Sequence, residues 1–444
     1  MTDRRAGHRP DEVPLLWRWC IRKDGLQDKL GESSMSKLAL LGGKPVFENS
    51  LDWHDFWPPR DEATSKKLQE LYFSGAWTAF DPLEPEFSQA FATHHGAKHG
   101  AFMVNGTVTM QCALGAYGIG AGDEVIVPAL TWYATGMAAY YLGARPVFVD
   151  VLPDTLCIDP DKISAAITER TKAIIPVHLY GSMADMDRIM EIARKHQLIV
   201  IEDCAHAHGG IWAGRGIGSI GHVGSFSFQQ SKTMACGEGG ICITSDARIY
   251  ERIFRMKHIG YGPGQNPGRA TSGPPPDLLC YPFRATAFQA LLLAEQLKSL
   301  NERLERYEKA ARYLEERLAR TTKIRFQARG LKADRQGYFG WVMIFDHPDY
   351  ADLPLQLILE ALAAEGLEVE RTWGPVYNFI LFNLKPEAYR IDQPCVVTER
   401  VGPRMLWVFH ANLGLSMAEV EKMAEAIEKV MVHSGELRLQ TRAS

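Results

Sequence analysis

No stretch of this 444-residue chain approaches the roughly 20 consecutive apolar residues that cross a bilayer. The first 34 residues also lack the apolar core of a secretory leader, mixing Arg4, Arg5, Arg9 and Arg18 with acids. A strong charge of either sign is missing too. At a net charge of −4, nothing argues for nucleic acid or an anionic membrane as partner. The cysteines have neither zinc-type nor disulfide-framework spacing. Cys20, Cys112, Cys157, Cys204, Cys236, Cys242, Cys280 and Cys395 are scattered and read as plain thiols in a reducing cytoplasm. No internal repeat is visible. What remains is an ordinary globular composition, 46% hydrophobic and 23% charged, over a length that exceeds one compact domain.

From about Trp53 to Gln289, apolar strands alternate with helical stretches. Strands are expected at 101–104, 124–127, 146–149, 173–177, 198–202, 223–228 and 240–243. That alternation predicts a mostly parallel sheet flanked by helices, an α/β architecture. Residues 259–283 form a Gly- and Pro-rich loop, which is either functional or a mobile surface loop. Leu297, Leu300, Leu304, Tyr307, Ala311, Leu314 and Leu318 then recur at helical spacing. They predict one long helix leading to a smaller C-terminal α/β domain, with strands near 338–345, 367–371 and 405–409 and a last helix at 417–432. The expected division is an N-terminal extension at 1–34, a large domain at 35–290, a helix and small domain at 291–435, and a tail at 436–444.

Four segments carry chemistry. Lys232 lies between the strand-like Ser225–Phe228 and the glycines Gly237, Gly239 and Gly240. A lysine desolvated there becomes a Schiff-base nucleophile, whereas a lysine in general is a solvated surface group. The apolar run 198–201 ends in Glu202 and Asp203, at the carboxyl end of a strand, where open α/β sheets bind ligands. Asp203 can pair with the pyridinium nitrogen of pyridoxal phosphate (PLP) or simply cap the next helix. Asn105-Gly106-Thr107 opens a helical pattern. Its free N–H groups and hydroxyl make an anion cradle, or only a turn and cap. Trp132 follows the strand 124–127 and either stacks on a flat ring or belongs to the core.

In order, spacing and residue type these segments resemble the DegT/StrS-type aminotransferases, a sugar and cyclitol branch of the fold-type I PLP enzymes. The resemblance runs from about Leu38 to about Val430. It implies the fold-type I architecture and PLP as cofactor. By resemblance, Lys232 bonds the cofactor and shuttles the proton, Asp203 pairs with the ring nitrogen, and His206 stands beside the ring and its hydroxyl. Gly106, Thr107 and Ser227 bind the phosphate, and Trp132 stacks on the ring. Arg284 matches a position that reaches the phosphate of a neighbouring subunit, although Pro282 replaces an asparagine usual two residues earlier. A homodimer with shared sites follows, with the 259–283 loop crossing to the partner.

Phe228-Gln229-Gln230-Ser231 is similar to the branch that aminates inosose-type cyclitols, as is Thr155-Leu-Cys-Ile-Asp159. The resemblance therefore implies transfer of an amino group from L-glutamine, or L-glutamate, to a keto-cyclitol in aminocyclitol biosynthesis, by a ping-pong cycle. Gln229 and Gln230 can equally be packing around the site. A nucleotide keto-sugar acceptor and an aminohydroxybenzoate-synthase-like enzyme are the alternatives among enzymes, and a PLP-binding regulator is the alternative outside catalysis. Dehydratase relatives typically carry histidine in place of the lysine. Arg371, Tyr377 and His410 are candidates for substrate contacts in the small domain, and His178 reads as a supporting group.

Overall fold

The computed structural model describes residues 37–79, 81–265 and 270–443. The proposed extension 1–34 and Cys20 lie outside the described residues. Strands in the first part of the chain are β1 (His99–Met103), β2 (Glu124–Pro128), β3 (Arg145–Val149), β4 (Thr171–Ile174), β5 (Ile199–Asp203), β6 (Ile211–Trp212), β7 (Arg215–Gly216), β8 (Val223–Ser227) and β9 (Gly240–Thr244). The later strands are β10 (Arg325–Phe326), β11 (Ala333–Arg335), β12 (Gly340–Ile344), β13 (Glu370–Arg371), β14 (Arg390–Ile391) and β15 (Met405–Phe409).

Eight strands form the main sheet in the order β1-β9-β8-β5-β4-β2-β3-β14. Only β9 runs against the others, pairing antiparallel with β1 and β8. Side chains alternate between two buried layers, as the two-residue period of a strand requires. On one face Met103, Val125, Val127, Ile201, Val223 and Cys242 pack with the helices Gly106–Ala116, Ala134–Tyr140 and Ala247–Lys257. On the other, Phe102, Ile126, Val147, Val200, Phe226 and Ile241 pack with Leu83–His94, Met186–His196 and Leu300–Thr321. Both faces are covered, so the strands are mostly apolar on both sides, with polar residues such as Glu202, Asp203, Ser225 and Ser227 toward the carboxyl ends of β5 and β8.

The long helix expected around Leu297–Leu318 is two helices. Ala287–Lys298 ends at Ser299, whose φ of −107° and ψ of 5° leave helical geometry, and Leu300–Thr321 follows. Leu300, Leu304, Tyr307, Ala311, Leu314 and Leu318 are all buried, as the spacing implied. Four strands form a second sheet, β10-β12-β15-β13. The chain beyond 291 does not all belong to it. β14 pairs parallel with β3, so a late segment completes the edge of the main sheet, and Val376, Phe382 and Cys395 join the same layer as Val125. No helix among the described residues is long and apolar enough to cross a membrane.

Candidate active site

The site gathers at the carboxyl ends of β5 and β8. Glu202 and Asp203 are neighbours on β5 and therefore point to opposite faces. Glu202 accepts N–H groups from Gly218, Ile220 and Gly221 at 2.9, 2.8 and 2.6 Å. His178 Nδ1 accepts the Ala184 N–H at 3.2 Å, so its Nε2–H donates to Glu202 at 3.3 Å. His178, Glu202 and Cys204 place ligand-type atoms within 4.8 Å of one another. Glu202 already accepts four donors, however, and the group is an internal hydrogen-bonded strut rather than a metal centre.

Asp203 faces the layer that holds the helix Gly106–Ala116. Its Oδ2 accepts the Thr135 hydroxyl at 2.9 Å, and its Oδ1 accepts the Ala205 N–H at 3.2 Å. Burial raises its pKa, against the pull of these two donors and of Lys232. An enclosed carboxylate of this kind gains most from a cationic partner. The sequence reading did not assign Thr135, which sits in the first turn of the helix after Trp132; a hydroxyl at a helix start reads as a cap.

Ser225 and Ser227 of β8 face the same layer as Asp203. The Ser225 and Thr109 hydroxyls lie 2.6 Å apart. Asn105 caps the helix by accepting the Val108 N–H at 3.0 Å. The Gly106 and Thr107 N–H groups have no acceptor among the described residues, as expected for a helix start. A Cβ at Gly106 would lie 2.7 Å from Ser227 Cβ, and one at Gly240 would lie 2.5 Å from the Asn105 carbonyl. Both glycines are required by these close approaches, which bring the helix start and the Ser227 hydroxyl together.

Lys232 occupies the turn joining β8 to β9. Its side chain makes no hydrogen bond or ion pair among the described residues, and Nζ lies 4.3 Å from the Phe339 ring centroid. Burial lowers its pKa from the ordinary 10.5 to about 8, opposed by Asp203 and Glu238. His206 stacks on the same ring, 3.8 Å from Phe339 and 6° from parallel. His206 Nδ1 accepts the Tyr180 N–H at 3.2 Å, which leaves the ring proton on Nε2. Burial, and then Lys232, hold the imidazole neutral by pushing its pKa well down. Trp132 is half-buried, edge-on to Trp373 at 5.2 Å and tilted against Phe379 at 5.4 Å.

Arg284 bridges to Met103 through its backbone, beside the Asn105 turn, and its side chain makes no hydrogen bond among the described residues. Three residues singled out as substrate contacts have other or no partners. His410 is fully buried, with Nδ1 at 3.3 Å from the Tyr307 hydroxyl and Nε2 at 3.1 Å from the Ser231 carbonyl. The Tyr377 hydroxyl donates to Glu399 at 2.9 Å. Arg371 is exposed on β13. Gln229 turns back on its own loop, accepting from the Ser231 N–H and hydroxyl at 2.8 and 2.7 Å. The Gln230 carboxamide makes no hydrogen bond among the described residues.

A large, mostly parallel sheet with a lysine on the turn after β8 and an acid at the end of β5 defines an α/β enzyme of fold-type I. Residues 58–428 match the DegT/DnrJ/EryC1/StrS aminotransferase family, and the chain belongs to that family. It is 34% identical over 423 residues to the L-glutamine:2-deoxy-scyllo-inosose aminotransferase of Streptoalloteichus tenebrarius, covering 90% of this chain and 99% of the relative. It superposes on 3-amino-5-hydroxybenzoic acid synthase with a TM-score of 0.77 at 30% identity, covering 85% of this chain and 98% of that one. An E. coli GDP-4-keto-6-deoxy-D-mannose-3-dehydratase with bound hydrated PLP shares the fold at a TM-score of 0.72 and 22% identity, over 83% of this chain and 97% of that one. Family and fold together point to pyridoxal phosphate as the cofactor.

Proposed function

We propose that this enzyme transfers the amino group of L-glutamine to the ketone of a keto-cyclitol of the inosose class, with pyridoxal phosphate as cofactor. The carrying observation is the 34% identity to a glutamine:inosose aminotransferase across 90% of the chain. The residues fit the cofactor. The free N–H groups at Gly106 and Thr107, with the Ser227 hydroxyl, suit its phosphate. Asp203 suits its ring nitrogen, Trp132 its ring face, and the His206 Nε2–H its ring hydroxyl. Lys232 would hold it covalently, and the bound group supplies an electron sink for the carbon that carries the amine.

The chain's own residues perform the proton work. Freed once the donor amine takes its place, Lys232 would act as the base beside the Phe339 ring, taking the proton from the donor carbon and giving it up again within the same half-reaction. In the second half it would run the same transfer in reverse, delivering a proton to the carbon of the former ketone. Asp203, buried and anchored by Thr135, would keep the ring nitrogen of the bound cofactor protonated. The cycle is ping-pong. The test is a visible spectrum of the PLP-loaded protein with L-glutamine and no acceptor. The band should change on L-glutamine and be restored by scyllo-inosose or its 2-deoxy form. A band indifferent to L-glutamine and L-glutamate would remove the aminotransfer reading.

Two subunits are part of the same proposal. Arg284, with no side-chain hydrogen bond among the described residues, would bind the phosphate in the partner's site. Mixing inactive Lys232→Ala and Arg284→Ala proteins should then restore activity through heterodimers; no restoration would keep Arg284 in its own subunit.

A further inference from the structure

Four backbone carbonyls around Lys232 are each held by a side chain from elsewhere in the chain. Trp57 Nε1 donates to the Gln230 carbonyl at 2.9 Å, and His410 Nε2 lies 3.1 Å from that of Ser231. Arg303 donates to Thr233 at 2.8 Å, and Gln296 to Ala235 at 2.7 Å. These donors come from the segment before the first long helix, from the end of β15, and from the two consecutive helices after 287.

The Ser231–Lys232 peptide is pinned at both ends. Its N–H donates to the Gln229 carbonyl at 2.8 Å, and its oxygen accepts from His410. A carbonyl only accepts, so His410 carries its proton on Nε2, and Nδ1 accepts from the Tyr307 hydroxyl at 3.3 Å. The edge of the Trp57 ring system meets the imidazole at 4.6 Å and 88°. With this peptide plane fixed, the Lys232 Cα is fixed, and the Cα–Cβ direction is left to the single dihedral φ of Lys232. The amine has no hydrogen bond of its own among the described residues and only the Phe339 ring beside it.

We propose that His410, assisted by Trp57, is a positioning residue for Lys232, aiming the amine by holding the peptide bond that precedes it. The inference rests on Lys232 being the cofactor lysine. It also joins the second sheet to the chemistry, because His410 directly follows β15. A loosened turn would let water reach the amine, which now sits among Phe339, Asp203, Glu238 and the neutral rings of His206, His208 and His410.

The test compares wild type, His410→Leu and His410→Gln, since glutamine can keep a donor near the Nε2 position. In cofactor-free protein, the pH dependence of Lys232 labelling by an amine reagent is read by peptide mass spectrometry. Wild-type labelling should rise through about pH 8. His410→Leu should move that midpoint upward, toward the roughly 10.4 of a hydrated lysine. In loaded enzyme it should lower kcat on the order of a hundredfold with KM for L-glutamine little changed, as misplacement of a reacting group by about 1 Å does. His410→Gln should recover most of both. If His410→Leu does not fold, Trp57→Phe carries the same readouts with smaller shifts. An unchanged midpoint in the substituted protein, or a glutamine variant as impaired as the leucine one, overturns the proposal and leaves His410 a core residue. Borohydride reduction of the loaded wild type that puts no pyridoxyl group on Lys232 overturns the underlying lysine reading instead, which the cofactor-free labelling distinguishes from loss of the brace.

Discussion

Among the described residues, Lys257 is buried and Lys232 half-buried, and the regions around them are built on opposite principles. At the foot of β1, Lys257 donates to Glu84 at 2.7 Å and to the Phe102 carbonyl at 2.8 Å, so its charge is matched and its donors are used. At the turn after β8, Lys232 has an aromatic ring beside it and no matched partner. The first region restrains the side chain and leaves the backbone to the helix. The second restrains the backbone, carbonyl by carbonyl, and leaves the side chain free. A lysine that must bond and release a cofactor needs the second arrangement; a lysine that joins a helix to a sheet needs the first.

Substitution breaks the two regions differently. Lys232→Ala should abolish amine transfer with the fold intact, measured by turnover and circular dichroism; normal turnover would end its assignment. Lys257→Met leaves Glu84 buried and unpaired, and should cost about 3–5 kcal/mol of stability in denaturant titration. The folded fraction of that variant should keep its activity, and a selective loss of turnover would blur the contrast. Asp203→Asn should lower kcat on the order of a hundredfold, as removal of a preorganised charge does. Stopped-flow traces of the L-glutamine half-reaction would show it. The smallest effect belongs to Gln230→Ala. If its unpaired carboxamide meets the ketone, KM for the acceptor should rise roughly fivefold, the worth of one hydrogen bond. Gln229→Ala should instead disturb both half-reactions, because its carboxamide holds the turn at Ser231.

The sequence displayed the catalytic region better than the scaffold around it. β1 to β5 and β9 appear in it as mainly apolar runs, because strands covered on both faces need no polar alternation, and β8 appears as the alternation Ser225–Phe228. Lys232, Asp203 and the Asn105-Gly106-Thr107 turn stand at strand or helix ends, where local pattern shows them. β14 is only two residues, Arg390–Ile391, and has no period to detect. The break at Ser299 was hidden because leucines continue at helical spacing on both sides of it. His410, Trp57 and Arg303 grip main-chain oxygens, and a carbonyl leaves no mark in a sequence. His410 therefore looked like a substrate ligand, although both its nitrogens are used inside the fold.

The parallel pairing of β14 with β3 bears on any attempt to cut the protein in two. Residues 37–290 hold seven of the eight strands of the main sheet, and a chain trimmed there would look nearly complete. It would also expose the far side of Arg145–Val149, a row of unpaired peptide groups flanked by Val147 and Phe148. Such a bare margin invites a second molecule to add its own strand, and the fragment should precipitate or form ribbons rather than stay a tidy half-enzyme.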